Sequence, residues 1–237
     1  KVDKVVNADF VETQLKDKQR IEELVREYLS KRFDRESLST GKNLLLFKVC
    51  VKLTEEFLKH EMRNIQQLND SGVDLKIEML EGKLEHSISI NGKEIKIAGR
   101  VDRIERAGDV VQIADYKTSK YATIPVLDEE TWKELTGNPK YSKPVQLLVY
   151  AWLYNRMHGK EVPIRSGIYW LRESDKSLDT VRVSKTDDVL NTDTILRFEE
   201  KLKAVLSEML NVEIPFEKTK DEERCEHCEF SNICQRG

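Results

Sequence analysis

The chain has 237 residues, of which 35% are charged, and its 40 basic and 43 acidic residues leave a formal net charge of −3. That length allows one large domain or a core with an appendage, and near-balanced charge neither predicts nor excludes a nucleic-acid partner, so local placement decides. No run of about 18 apolar residues and no signal-peptide pattern is present, and cysteines are few; the expectation is a cytoplasmic chain with no membrane partner. The first residue is Lys1 rather than methionine, which is read as a piece cut from a longer protein.

From 9 to 33, apolar residues at Leu15, Ile21, Leu24, Val25, Tyr28 and Leu29 recur at helical spacing and predict two short helices. The strongest helical pattern runs over 40–62, where Leu44, Leu45, Phe47, Cys50, Val51, Leu53, Phe57 and Leu58 form a broad apolar face that should pack on a sheet. Asn69-Asp70-Ser71-Gly72 breaks it. Strands are predicted over 74–80, 84–90, 94–104 and 110–117, separated by Glu81-Gly82, Asn91-Gly92 and Gly108-Asp109, which together read as an antiparallel meander. Periodicity lapses over 119–142, and a loop of that length is usually functional or disordered. Pro144 opens a helix that stops at Gly159, strands are predicted over 166–171 and 179–183, and a last helix over 192–210. The predicted organisation is an N-terminal helical segment (1–68) packing on the core, the core itself (69–214), and a cysteine-rich tail (215–237).

One hairpin carries the chemistry. With Gly108-Asp109 as its two-residue loop, Asp102 falls directly opposite Asp115, β-carbons about 5 Å apart. Opposed carboxylates repel, so the pairing calls for a cation or a basic neighbour. Lys117, two residues past Asp115, leaves the strand on the same face. Two hard oxygen donors beside a lysine suit a divalent ion such as magnesium and a phosphate substrate.

Three motifs in order, Gly99-Arg100-Val101-Asp102, Asp115-Tyr116-Lys117 and Gln146-x-x-x-Tyr150, resemble those of the PD-(D/E)XK nuclease superfamily, and of its RecB/AddB-like branch in particular. The resemblance implies an α/β (α+β) fold of restriction-endonuclease type, with a mixed central sheet flanked by helices. It implies metal-dependent phosphodiester hydrolysis of DNA, with Asp102, Asp115 and the Tyr116 carbonyl holding Mg2+ or Mn2+. Lys117 would orient the attacking water or stabilise phosphoryl charge, while Gln146 and Tyr150, four apart on one helix face, would touch the substrate or brace the site. Arg100, Arg103, Lys120, Lys140 and Lys143 would track the phosphate backbone. The bland readings are a solvated Asp115–Lys117 ion pair, a core Tyr150 with its hydroxyl satisfied, and solvated surface arginines. The family usually adds a histidine from an upstream helix in a Gly-x-x-x-His setting. Gly41-Lys42-Asn43-Leu44-Leu45 has none, His60 and Glu78 are the only substitutes, and the missing ligand is expected before Lys1.

Cys225, Cys228 and Cys234 form C-x-x-C-x(5)-C, a metal-type spacing. The resemblance implies a 4Fe–4S cluster, its fourth ligand expected upstream of Lys1, with Cys50 as the alternative; zinc on Cys225, His227, Cys228 and Cys234 is the other reading. The leading parent is an AddB-like helicase–nuclease subunit with DNA and a helicase as partners and no small-molecule substrate. Its rivals are a CRISPR-associated RecB-like nuclease and a non-enzymatic DNA-binding or scaffolding module with an incomplete site.

Overall fold

The computed structural model describes residues 4–159, 161–173, 177–215, 217–219, 222–226 and 228–235. After the short strand β1 (Lys4–Val5), the predicted helical pair is α1 (Ala8–Lys16) and α2 (Lys18–Leu29). Asp17 divides them: its N–H bonds the Gln14 carbonyl to end α1, and its carboxylate accepts from the Arg20 N–H to cap α2. Helix α3 (Gly41–Asp70) runs beyond the predicted stop because Ile65, fully buried against Ala8, Val11 and Leu75, continues its apolar stripe.

Three long strands follow, β2 (Leu75–Ile90), β3 (Lys93–Ala107) and β4 (Val110–Lys117). The segments predicted as separate strands, 74–80 and 84–90, are one strand. Glu81 takes a left-handed φ of 49° inside the ladder, and Gly82 resumes pairing opposite Val101. A Cβ on Gly82 would lie 1.8 Å from the Met79 sulfur, so any larger residue must displace that side chain. Glu81-Gly82 is therefore a bend, not a turn. The phase of side chains reverses across this bend: Val101 and Ile104, three apart, are both fully buried in the same core, where a regular strand would send them to opposite faces. Asp102 lies in that reversal.

The sheet continues with β5 (Ile164–Trp170), parallel to β4, and the short antiparallel β6 (Asp179–Thr180), giving one mixed sheet in the order β1 to β6. Helix α5 (Ser142–His158) connects β4 to β5 across one face; Ser166 on β5 donates its hydroxyl to the Leu147 carbonyl at 2.9 Å. Helix α6 (Thr192–Met209) lies beside α5, tied by Trp152 Nε1 donating to Glu199 at 2.7 Å. Helix α3 covers the other face through Phe57, whose ring meets Tyr116 and Tyr169 edge-on at 5.3 and 6.3 Å. The stretch 119–142 is a packed connection. Asp128 caps a short helix α4 (Glu129–Glu134), Ile124, Leu127, Trp132 and Leu135 are buried in the main core, and Arg197 of α6 grips Glu129 with both terminal nitrogens. No described helix is long and apolar enough to cross a membrane.

Candidate active site

Pairing between β3 and β4 runs from Ala107 opposite Val110 to Arg103 opposite Ala114, the register the two-residue loop dictates. One step further the ladder gives way to a side chain: Asp102 Oδ2 accepts the Tyr116 N–H at 2.7 Å. Asp102 thus closes the end of the β3–β4 pair, and Asp115 comes close enough for the two carboxylates to repel. Asp115 is buried. Burial pushes its carboxyl above the ordinary value; Lys117 pulls it back down, and Asp102 adds to the upward push. Lys117 Nζ lies 2.7 Å from Asp115 Oδ2, yet that oxygen has no aligned hydrogen bond, so the lysine supplies charge without full satisfaction. Gln146 Nε2 donates to the other oxygen, Oδ1, at 3.3 Å and to the Tyr150 hydroxyl at 2.8 Å. Gly99 belongs to the same packing, since a Cβ there would come within 2.9 Å of the Tyr150 ring. The structure therefore brings together Asp102, Asp115, Tyr116, Lys117, Gln146 and Tyr150.

The reverse side of these strands holds charges that the sequence reading placed elsewhere. Arg103, expected to track phosphates, is 3% exposed and lies 2.7 Å from Glu61 of α3 and against Glu105. Glu61 is 4% and Glu105 0% exposed. A bare strand sequence such as Arg-Ile-Glu-Arg reads as solvated, and only the arrival of α3 forty residues upstream in sequence makes it interior. Burial raises Glu105 to about 7 against the pull of Arg103, and it also lifts the Tyr116 phenol to about 12. Arg103 Nη1 donates to the Tyr116 hydroxyl at 3.3 Å. Of the other basic candidates, Arg100 approaches exposed Glu81 at 3.9 Å, Lys140 lies over Tyr141 at 4.6 Å, and Lys143 lies over Trp170 at 5.5 Å.

Comparison with known families matches the sequence pattern of the PD-(D/E)XK nuclease superfamily over residues 3–235. The chain belongs to this superfamily. Comparison with curated proteins gave no match. Among solved structures, that of SSO0001 is similar at 19% identity over 95% of this chain and 96% of that one, with a TM-score of 0.35, too loose a likeness to bear on the site.

Superfamily nucleases typically act with divalent metal, and the Asp102–Asp115 pair offers that chemistry hard oxygen donors, one of them the buried Asp115 Oδ2 that faces Lys117. Among the described residues no three of His, Cys, Asp and Glu gather as a metal centre. Neither substitute for the upstream histidine sits at the pair. His60 lies edge-on to Tyr169 at 5.8 Å on the α3 side, and Glu78 is engaged by Arg106 at 2.7 Å and by the Tyr154 hydroxyl at 2.8 Å. The tail cysteines differ in environment: Cys225 is buried, Cys228 exposed and Cys234 half-buried, with the Cys228 N–H bonded to the Cys225 carbonyl at 3.1 Å. Among the described residues they do not gather with a fourth ligand. His227 of the zinc reading lies outside the described residues. Cys50 lines an apolar cavity with Leu53, Phe57 and Leu171, and burial raises its thiol above the ordinary value.

Proposed function

We propose that this chain is a divalent-metal-dependent nuclease domain that hydrolyses phosphodiester bonds of DNA, with Asp102, Asp115 and the Tyr116 carbonyl as the metal-holding groups. The observation that carries this reading is the buried Asp115 carboxylate, repelled by Asp102 and faced by Lys117 at 2.7 Å from its Oδ2. When bound, the metal would polarise the phosphate and lower the pKa of a coordinated water. The protein groups do the rest. Gln146, anchored to Tyr150, fixes the Asp115 carboxylate by its Oδ1; Tyr116 fixes Asp102 through its N–H. Lys117, tethered to Asp115, supplies positive charge where charge builds on the phosphoryl oxygens.

The proposal extends to an AddB-like parent, a helicase partner, a segmental layout of 1–68, 69–214 and 215–237, and an iron–sulfur cluster on Cys225, Cys228 and Cys234. These rest on motif order and cysteine spacing alone, and iron and sulfide analysis of the purified protein checks the last. A binding module with an incomplete site is the second reading, favoured by the two-carboxylate count among the described residues. Cleavage of end-labelled DNA with magnesium, and its loss with chelator, separates the two. Asp115→Asn should lower cleavage by at least about 10²-fold, since metal-ion charge stabilisation amounts to several kcal/mol. Its melting temperature should hold or rise as the repulsion is relieved. Metal-independent DNA binding with no cleavage would favour the module.

A further inference from the structure

The Glu61–Arg103–Glu105 group is the most heavily buried charge in the described protein, and the nuclease chemistry above makes no use of it. Two carboxylates share one guanidinium; Glu61 Oε1 and Arg103 Nε are without aligned hydrogen bonds, while Glu105 is held by Arg103 and by the Tyr169 hydroxyl. Such a group need not add stability, since replacing a buried ionic group by packed apolar residues is often neutral or stabilising. The placement of Arg103 suggests what it does instead. It follows Asp102 directly on β3. Its Nη1 reaches across to the Tyr116 hydroxyl, and the Tyr116 N–H returns to Asp102 Oδ2. Asp102, Arg103 and Tyr116 therefore form a closed circuit spanning β3 and β4 at the point where the backbone ladder stops at Arg103 and Ala114. The circuit has site residues on one face of the sheet and the buried charges on the other. Glu61 anchors the same guanidinium to α3, so the helix bears on the site through Arg103 as well as through the Phe57 ring against Tyr116.

We propose that Arg103, clamped by Glu61 and Glu105, is a positioning residue that sets the spacing of Asp102 and Asp115 beyond the end of the ladder. This rests on the metal-holding reading of that pair. Groups that orient metal ligands from behind typically change metal affinity or activity by about 10–100-fold when removed.

Mn2+ serves as the probe, titrated calorimetrically into the purified chain, with melting temperature and DNA-cleavage kinetics measured on the same samples. The charge-free combination Glu61→Met, Arg103→Leu and Glu105→Met should melt near the wild-type temperature yet bind Mn2+ about 10–100-fold more weakly, with kcat reduced and KM for DNA unchanged. Glu61→Gln, nearly isosteric, provides a gentler variant in case the combination does not fold, and should weaken Mn2+ in the same direction. Arg103→Lys keeps charge but loses the planar fork, so it should not restore affinity. Folded variants with wild-type Mn2+ affinity would overturn the positioning role while leaving the metal site standing. A wild-type chain that binds no Mn2+ would overturn both.

Discussion

The two faces of the sheet are built on different physics. Under α5, β4 and β5 present Val111, Ile113, Ile164, Ser166 and Ile168 to Leu147, Leu148 and Ala151, an interior of closely fitted apolar volume whose polar exceptions are bonded, as Ser166 is to Leu147. Under α3, β3 presents Arg103 and Glu105, and β4 and β5 present Tyr116 and Tyr169, to Phe57, His60 and Glu61, where rings meet edge-on and charge is only partly balanced. The candidate site sits at the end of the apolar face and draws its rigidity from that packing: Tyr150 is nearly buried in it and holds Gln146, which holds Asp115. The lesson is that well-filled volume supports a site that must not move, while the charged face behind it offers orientation at a cost in stability.

Volume loss should therefore matter most on the α5 side. Trp152 is fully buried, bonded to Glu199 and edge-on to His86 at 5.5 Å. Trp152→Ala should cost about 3–5 kcal/mol in denaturant unfolding, the range for removing a large buried aromatic. A loss under 1 kcal/mol would show that the α5 face tolerates cavities and would erase the contrast.

A smaller effect should mark the α3 side, and it should depend on pH. Glu105 is raised from 4.5 to about 7 in the fold, chiefly by burial. In that window the folded protein holds a proton that the unfolded chain has released, so this group's contribution makes stability fall as pH rises from about 4.5 to about 7 and level off above. Glu105→Gln removes the titration. Melting temperatures of wild type and variant should run closest at acid pH and separate toward pH 7, with the variant the more stable there. Parallel curves would mean that Glu105 is already ionised in the fold.

How much of this was legible in the sequence follows the same division. The site elements were legible because each signal is local: a two-residue loop fixes the register that aligns Asp102 with Asp115, alternation puts Lys117 on the face of Asp115, and a four-residue helical step joins Gln146 to Tyr150. The mixed sheet flanked by helices was legible only through the motif resemblance, because local pattern shows the antiparallel meander and nothing in it pairs β4 with β5 across α5. The buried triad was not, because the partner that buries Arg103 lies on α3 and no local pattern connects Glu61 to it. The single long β2 was missed because Glu81-Gly82 has the composition of a turn, and only the pairing of Gly82 with Val101 shows the ladder passing through it. Helix α4 left a usable signal, Asp128 ahead of Glu129 and Glu130, that the loop reading passed over.

In the proposed chemistry Lys117 acts on the transferring phosphoryl group rather than merely pairing with Asp115 in the resting fold. Single-turnover cleavage of labelled DNA by Lys117→Ala, alongside its DNA affinity, tests this most directly. The rate should fall by about 10²-fold or more, the scale for losing one electrostatic stabiliser, with affinity nearly unchanged. A wild-type rate at saturating DNA, with binding strongly weakened, would contradict it and make Lys117 a phosphate anchor.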